Sequence, residues 1–398
     1  MTDAPVIASH SGARAAAPTV EVFTRDRDAE GTIRQSLSTL NVQDADVIHG
    51  DIETAIAALA EQPSPRLLIV DVSEITDPVV RINELAEVCE PNTGVIVIGQ
   101  RNDIVLYRDL KLAGVAEYFF KPLVADLVTR VCNNVLTGTT GPQPTRTGKL
   151  VFILGVRGGV GATTIAVNTA WLLAETRQRW VMLLDLDLLG GDAALQLDQT
   201  PSHALREAVE NPDRVDKLFL ERAVIPVESR IDLLASLEPI GQNIKFDESA
   251  VLTLLKNLLH RYRFIFIDVP PAVAAQLTQA LQLPGTCVLV SSGTLASARE
   301  VARWRDLIGA NTPDRTVLHV LNQHGAPDSL PDAEFNRAAG RAPDVVIPYD
   351  RDIAAASILG IKGTQNCAAL KRGLAPLLRH LSGKQVARRR SLLRRILG

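Results

Sequence analysis

Short runs of apolar, often β-branched residues alternate along the chain with longer stretches in which apolar positions recur every three or four residues. The first set of runs covers 19–23, 67–72, 94–98 and 117–120, with helical patterns such as 53–60 and 104–112 between them. The alternation resumes at 150–154, 181–185, 264–268, 286–290 and 317–322. Runs that are apolar throughout belong to strands buried on both faces, and strands separated by helices make parallel sheets. Both parts are therefore expected to be α/β with parallel sheets. Between them, residues 136–149 read LTGTTGPQPTRTGK, a stretch whose glycine, proline and threonine suppress helix and strand together. The expected organisation is a loose leader at 1–18, a first domain at 19–136, a linker at 137–149, a second domain at 150–382 and a tail at 383–398.

Composition agrees with two cores, since 398 residues at 46% hydrophobic and 22% charged exceed what one core usually holds. No apolar stretch approaches the roughly 18 residues that span a bilayer. Residues 1–18 lack the basic start and apolar core of a secretory signal, so a cytoplasmic protein is expected. Cys89, Cys132, Cys287 and Cys367 have no C-x-x-C spacing and read as buried reduced thiols. The 42 basic and 45 acidic residues are unevenly placed: no Asp or Glu follows Asp352, whereas ten Lys and Arg do. In the tail, Lys384, Arg388, Arg389, Arg390, Arg394 and Arg395 accompany an apolar arc of Val386, Leu392, Leu393, Ile396 and Leu397, which Arg389 interrupts. Such a segment suits peripheral contact with an anionic membrane, a solvated basic end, or docking on an acidic partner or DNA.

The chemistry concentrates after the strand at 150–154. There Gly155-Val156-Arg157-Gly158-Gly159-Val160-Gly161-Ala162-Thr163-Thr164 opens a helix, the context of a phosphate-binding loop. Glycines let backbone amides converge on phosphate oxygens, and the helix adds its positive end. By position Thr163 is the Mg²⁺ residue and Thr164 a phosphate contact, while Ala162 stands where a lysine is expected. Two more strands end in carboxylates, Asp185 with Asp187 and Asp268, at the strand ends where parallel sheets bind ligands.

The stretch Arg157-Gly158-Gly159-Val160-Gly161-Ala162-Thr163-Thr164 resembles the deviant Walker A motif, KGGVGKTT, of the MinD and ParA superfamily of dimerising ATPases. The Leu-Leu-Asp-Leu-Asp and Ile-Asp-Val-Pro-Pro stretches resemble its switch I and Walker B segments. The resemblance implies a P-loop ATPase fold that binds ATP and Mg²⁺. It implies that Asp187 orients the attacking water, that Asp185 supports the metal shell and that Asp268 holds Mg²⁺ through water. It also implies that Asn322 reads adenine, with Pro348 beside the base, and that Arg157 takes the place of the lysine that reaches into a partner subunit. With Ala162 in place of the second lysine, hydrolysis is expected to be weak or absent. The form RGGVGATT is similar to the TadZ and CpaE subfamily, which joins a receiver-like domain to an atypical ATPase and helps localise assembly of tight-adherence (Flp) pili.

The first domain resembles a response-regulator receiver, of flavodoxin-like fold, in Leu68-Ile69-Val70-Asp71 and Phe120-Lys121-Pro122. Gly99 stands where that pattern has a hydroxyl, and Thr24-Arg25 where it has an acidic pair. A degenerate receiver used for docking or dimerisation is expected. The resemblances together imply a homodimer held by nucleotide that acts with pilus-assembly or type II secretion-like machinery, on the cytoplasmic side, at a pole and peripheral to the inner membrane. The alternatives are a partitioning ATPase acting on DNA or membrane, and a regulator switched by phosphorylation of Asp71.

Overall fold

The computed structural model describes residues 18–62, 64–138, 148–177, 179–228 and 230–382. The leader up to residue 17, most of the linker and the basic tail lie outside the described residues. Two compact units divide the chain between Thr147 and Gly148, with the short segments 177–179 and 228–230 grouped with the first.

The first unit is a parallel five-stranded sheet of β1 (Val20–Thr24), β2 (Ala45–His49), β3 (Leu67–Asp71), β4 (Gly94–Gly99) and β5 (Glu117–Phe120), in the order β2-β1-β3-β4-β5. This is the flavodoxin-like doubly wound order. Alternate residues feed two cores. Val20, Val22, Leu67, Ile69 and Ile96 pack under the helices Arg27–Thr39 and Ala125–Thr137. Phe23, Leu68, Val70 and Val97 pack under Ile52–Glu61, Pro78–Val88 and Ile104–Leu112. Aspartates start four of these helices: Asp26, Asp51, Asp77 and Asp103 each accept backbone N–H groups of the first turn. The sequence pattern does not reveal β2, because its residues ADVIH are half-polar and lie at the sheet's edge.

The second unit holds an eight-stranded sheet of β6 (Lys149–Gly155), β7 (Val181–Asp185), β8 (Ile225–Glu228), β9 (Ile231–Leu234), β10 (Phe264–Val269), β11 (Gly285–Ser291), β12 (Arg315–His324) and β13 (Val345–Pro348). The order is β13-β12-β11-β6-β10-β7-β9-β8, parallel from β13 through to β9. Leu150, Phe152 and Leu154 face one helical layer, Val151 and Ile153 the other. The helix Ala162–Arg177 is buried around its circumference from Ile165 to Ala174, as its lack of a polar face requires. β6 is central, and the chain leaves it towards β7 on one side and later returns to β11 on the other. The C-terminal ends of β6, β7 and β10 therefore border the crevice where such sheets take ligands. Among the described residues no helix is long and apolar enough to cross a membrane.

Candidate functional site

The crevice is a cavity of about 310 Å³. Its floor is the loop from Gly155 to Thr164. Gly159 and Gly161 have φ of +77° and +83°, backbone states that side-chain-bearing residues rarely adopt. An added Cβ at Gly158 or Gly159 would meet no atom within 4 Å, so the crown of the loop is open to a ligand. The Ile165 N–H bonds the Gly161 carbonyl at 3.0 Å and starts the helix Ala162–Arg177, whose N-terminus faces the cavity. Gly158, Gly159, Val160, Gly161, Ala162, Thr163 and Thr164 all line it, as do Arg157, Asp187 and Asp268.

Asp268, the penultimate residue of β10, is in register with Asp185 of β7. Burial, then the neighbouring Asp185, push its carboxyl well above the usual carboxylate range, and a hydrogen bond with Thr163 opposes them. Asp187 lies on the turn after β7, where its Oδ1 accepts the Gly190 N–H at 3.0 Å. Arg157 is exposed on the rim, without an ion-pair partner among the described residues.

Three residues that the resemblance singles out do not line this cavity. Asp185 is one: its Oδ1 accepts the Asp187 N–H at 3.0 Å and its Oδ2 the Ala193 N–H at 3.1 Å, so both oxygens brace the 185–193 turn. Gly191 is required beside it, because a Cβ there would sit 2.5 Å from Asp185 Oδ2. Burial raises the Asp185 pKa despite those hydrogen bonds. Asn322 does not line the cavity either; its Nδ2 donates to the Val160 carbonyl at 2.9 Å. Pro348, the last residue of β13, is exposed and away from the cavity wall.

The cavity also includes Val269, Pro270 and Pro271 of the Ile-Asp-Val-Pro-Pro stretch, and three residues that no sequence pattern pointed to: Gly190, Asp192 and Gln196. Gln196 is held from outside the site, since a Cβ on Gly360 would lie 2.5 Å from its carbonyl oxygen. Two residues further along each segment, Lys362 pairs with Asp198 at 2.5 Å.

These residues fit a magnesium nucleotide. The open glycine crown and the helix N-terminus suit phosphate, and a buried carboxylate next to a threonine hydroxyl is stabilised by a cation. Thr163 and Asp268 would hold Mg²⁺, which supplies neutralisation of phosphate charge when bound.

The first unit has its own polar cavity of about 240 Å³, lined by Arg25, Asp26, Asp51, Asp71, Ser73 and Lys121 among others. Lys121 Nζ lies 2.7 Å from Asp71 and 2.9 Å from Asp26, and Arg25 bridges Asp51 and Glu74 at 3.0 and 3.2 Å. Asp71 also accepts from Thr24 at 2.8 Å and from the Ser73 hydroxyl at 2.6 Å. Burial works against its charge, yet the hydrogen bonds from Lys121, Ser73 and Thr24 hold its pKa below the ordinary value.

The second unit has the P-loop NTPase fold of the MinD/ParA type. Residues 148–300 match a family model described as an AAA domain. A ParA family ATPase from Chlorobium tepidum superposes with a TM-score of 0.51 at 22% identity, covering 59% of this chain and 99% of that one. A Guillardia theta protein described as septum site-determining protein MinD is 26% identical over 167 residues, 41% of this chain and 60% of that protein. The chain spans less than two thirds of the length of that relative and of the ParA family relatives it matches in two mycoplasmas. A pilus assembly protein CpaE from Caulobacter crescentus is 31% identical over 30% of this chain and 99% of its own, with a TM-score of 0.27.

Proposed function

We propose that this chain is an ATP- and Mg²⁺-binding positioning protein that works as a nucleotide-stabilised homodimer with weak or absent hydrolysis. The observation that carries this reading is that the glycine crown, Thr163 and Asp268 surround one cavity in which the lysine position is Ala162, which contributes no charge. A cradle of this kind retains backbone donors for phosphate but lacks a charge-assisted grip on it. Arg157, free at the rim, is the cation left to meet a second subunit's nucleotide, and Asp187 is the residue left to order a water. The wording RGGVGATT and an α/β unit ahead of the ATPase unit support a role with Flp pilus-assembly or type II secretion-like machinery. The receiver-like unit would dock that machinery, and the basic tail would supply peripheral contact with the inner membrane at a pole.

Nucleotide titration with mass measurement, comparing the native chain with Arg157→Ala, tests this reading. ATP with magnesium should convert native monomers to dimers, and the variant should bind ATP yet stay monomeric. A native chain that takes up no ATP would end the proposal. The alternative, a ParA-like partitioning ATPase, uses the same fold. It requires salt-sensitive, ATP-dependent DNA binding together with steady turnover.

A further inference from the structure

Between Gly155 and Ala162 the loop consists of glycine, valine and alanine apart from the exposed Arg157, so it has no side chain of its own to hydrogen-bond its backbone into shape. That shape must be imposed from outside. Asn322 stands on β12, on the opposite side of β6 from β10 and β7, whose ends border the cavity, and it donates Nδ2–H to the Val160 carbonyl at 2.9 Å. It lies flush against the next residue, because a Cβ on Gly161 would sit 2.6 Å from the same Nδ2. A trans peptide points its C=O and N–H in opposite directions. Fixing the Val160 carbonyl towards Asn322 therefore turns the Gly161 N–H the other way, towards the cavity that both residues line.

We propose that Asn322 is the positioning residue of the phosphate cradle, holding the 160–161 peptide so that the Gly161 amide is preset to donate to a phosphate oxygen. This rests on the nucleotide-binding reading and deepens it, since a loop with alanine at 162 depends on its backbone donors. It gives Asn322 a role at the phosphates through Nδ2, and leaves Oδ1, which this bond does not use, outside the proposal.

The experiment uses the full chain and its Asn322→Ala and Asn322→Asp variants, titrated calorimetrically with ATP, GTP and inorganic tripolyphosphate, each with magnesium. Loss of one hydrogen bond of ordinary net strength corresponds to roughly a fivefold effect. Asn322→Ala should weaken all three ligands by about that common factor, and Asn322→Asp, which cannot donate, by at least as much. Hydrogen exchange of residues 156–162 without ligand should be faster in both variants. A loss confined to ATP would show a base contact and overturn the proposal, as would unchanged tripolyphosphate affinity with unchanged exchange. If the native chain binds none of the three while exchange still rises on substitution, the nucleotide reading fails and the bracing role stands. Asn322→Ser, a milder truncation, gives the same readouts if the alanine variant does not fold.

Discussion

Replacing Glu21 by glutamine should make the first unit more stable at pH 8 and leave it nearly unchanged at pH 4. Glu21 sits on β1, is 3% exposed, and its Oε2 is buried without a hydrogen-bond partner. Burial, and then Asp46 directly opposite on β2, raise its pKa from the ordinary 4.5 to about 7. A carboxyl whose folded pKa exceeds its unfolded value favours the protonated folded state. Its stabilising contribution is therefore complete below pH 4.5, falls as pH rises to about 7, and stays lost above that. At roughly 1.4 kcal/mol per pH unit the difference amounts to about 3 kcal/mol, a ceiling because β1 lies only one strand from the sheet's edge and because glutamine still buries a polar amide. A gain of about 1–2 kcal/mol at pH 8 is the expected net result. Carbon-detected NMR of the Glu21 carboxyl should show a midpoint near 7. Urea unfolding of the native chain and the variant, followed through exchange protection of β1 and β3, gives the energies. A carboxyl titrating near 4.5, or a variant equally destabilised at pH 5 and pH 8, would refute the reasoning.

Ala162→Lys places an ammonium in the cavity and should tighten ATP binding by at least about tenfold, as judged by equilibrium dialysis; equal affinity would mean that phosphate does not lie against this loop. Gly360→Ala should lower the second unit's melting temperature by several degrees and weaken ATP binding together, because residue 360 has a φ of +58° and an added Cβ would press on Gln196. A normal melting point would show that the 196–360 contact yields without cost. His319 is driven down to about 3, chiefly by burial, so the second unit should lose stability as pH falls from 6.5 towards 3. His319→Phe should flatten that acid dependence in urea midpoints read by tryptophan fluorescence, and an unchanged slope would assign it to other groups.

Features written within one short stretch of chain were legible in the sequence. The glycine loop, Thr163, Asp187 and Asp268 were each found at a strand end, and the structure places all of them on one cavity. Both parallel sheets were legible because buried strands announce themselves as unbroken apolar runs. The strands β8 and β9 were not, because Pro226 and Asp232 break their apolar runs, and neither was β13, whose run VVIP is short and ends in proline. Gln196 gave no signal because its place depends on Gly360, a contact between residues distant in the chain. Asp185 and Asn322 were found as residues but not as contacts. Their side chains satisfy backbone groups, Asp187 and Ala193 in one case and Val160 in the other, and no spacing rule reports which way a carboxylate or amide turns.

The fit of Gly161 against Asn322 also bears on how this loop can change over generations. Position 161 is barred to a methyl group twice over, by its φ of +83° and by the amide at 322, so shortening 322 alone does not free it. Descendants of this chain should therefore keep glycine at 161 whatever drift brings to 322.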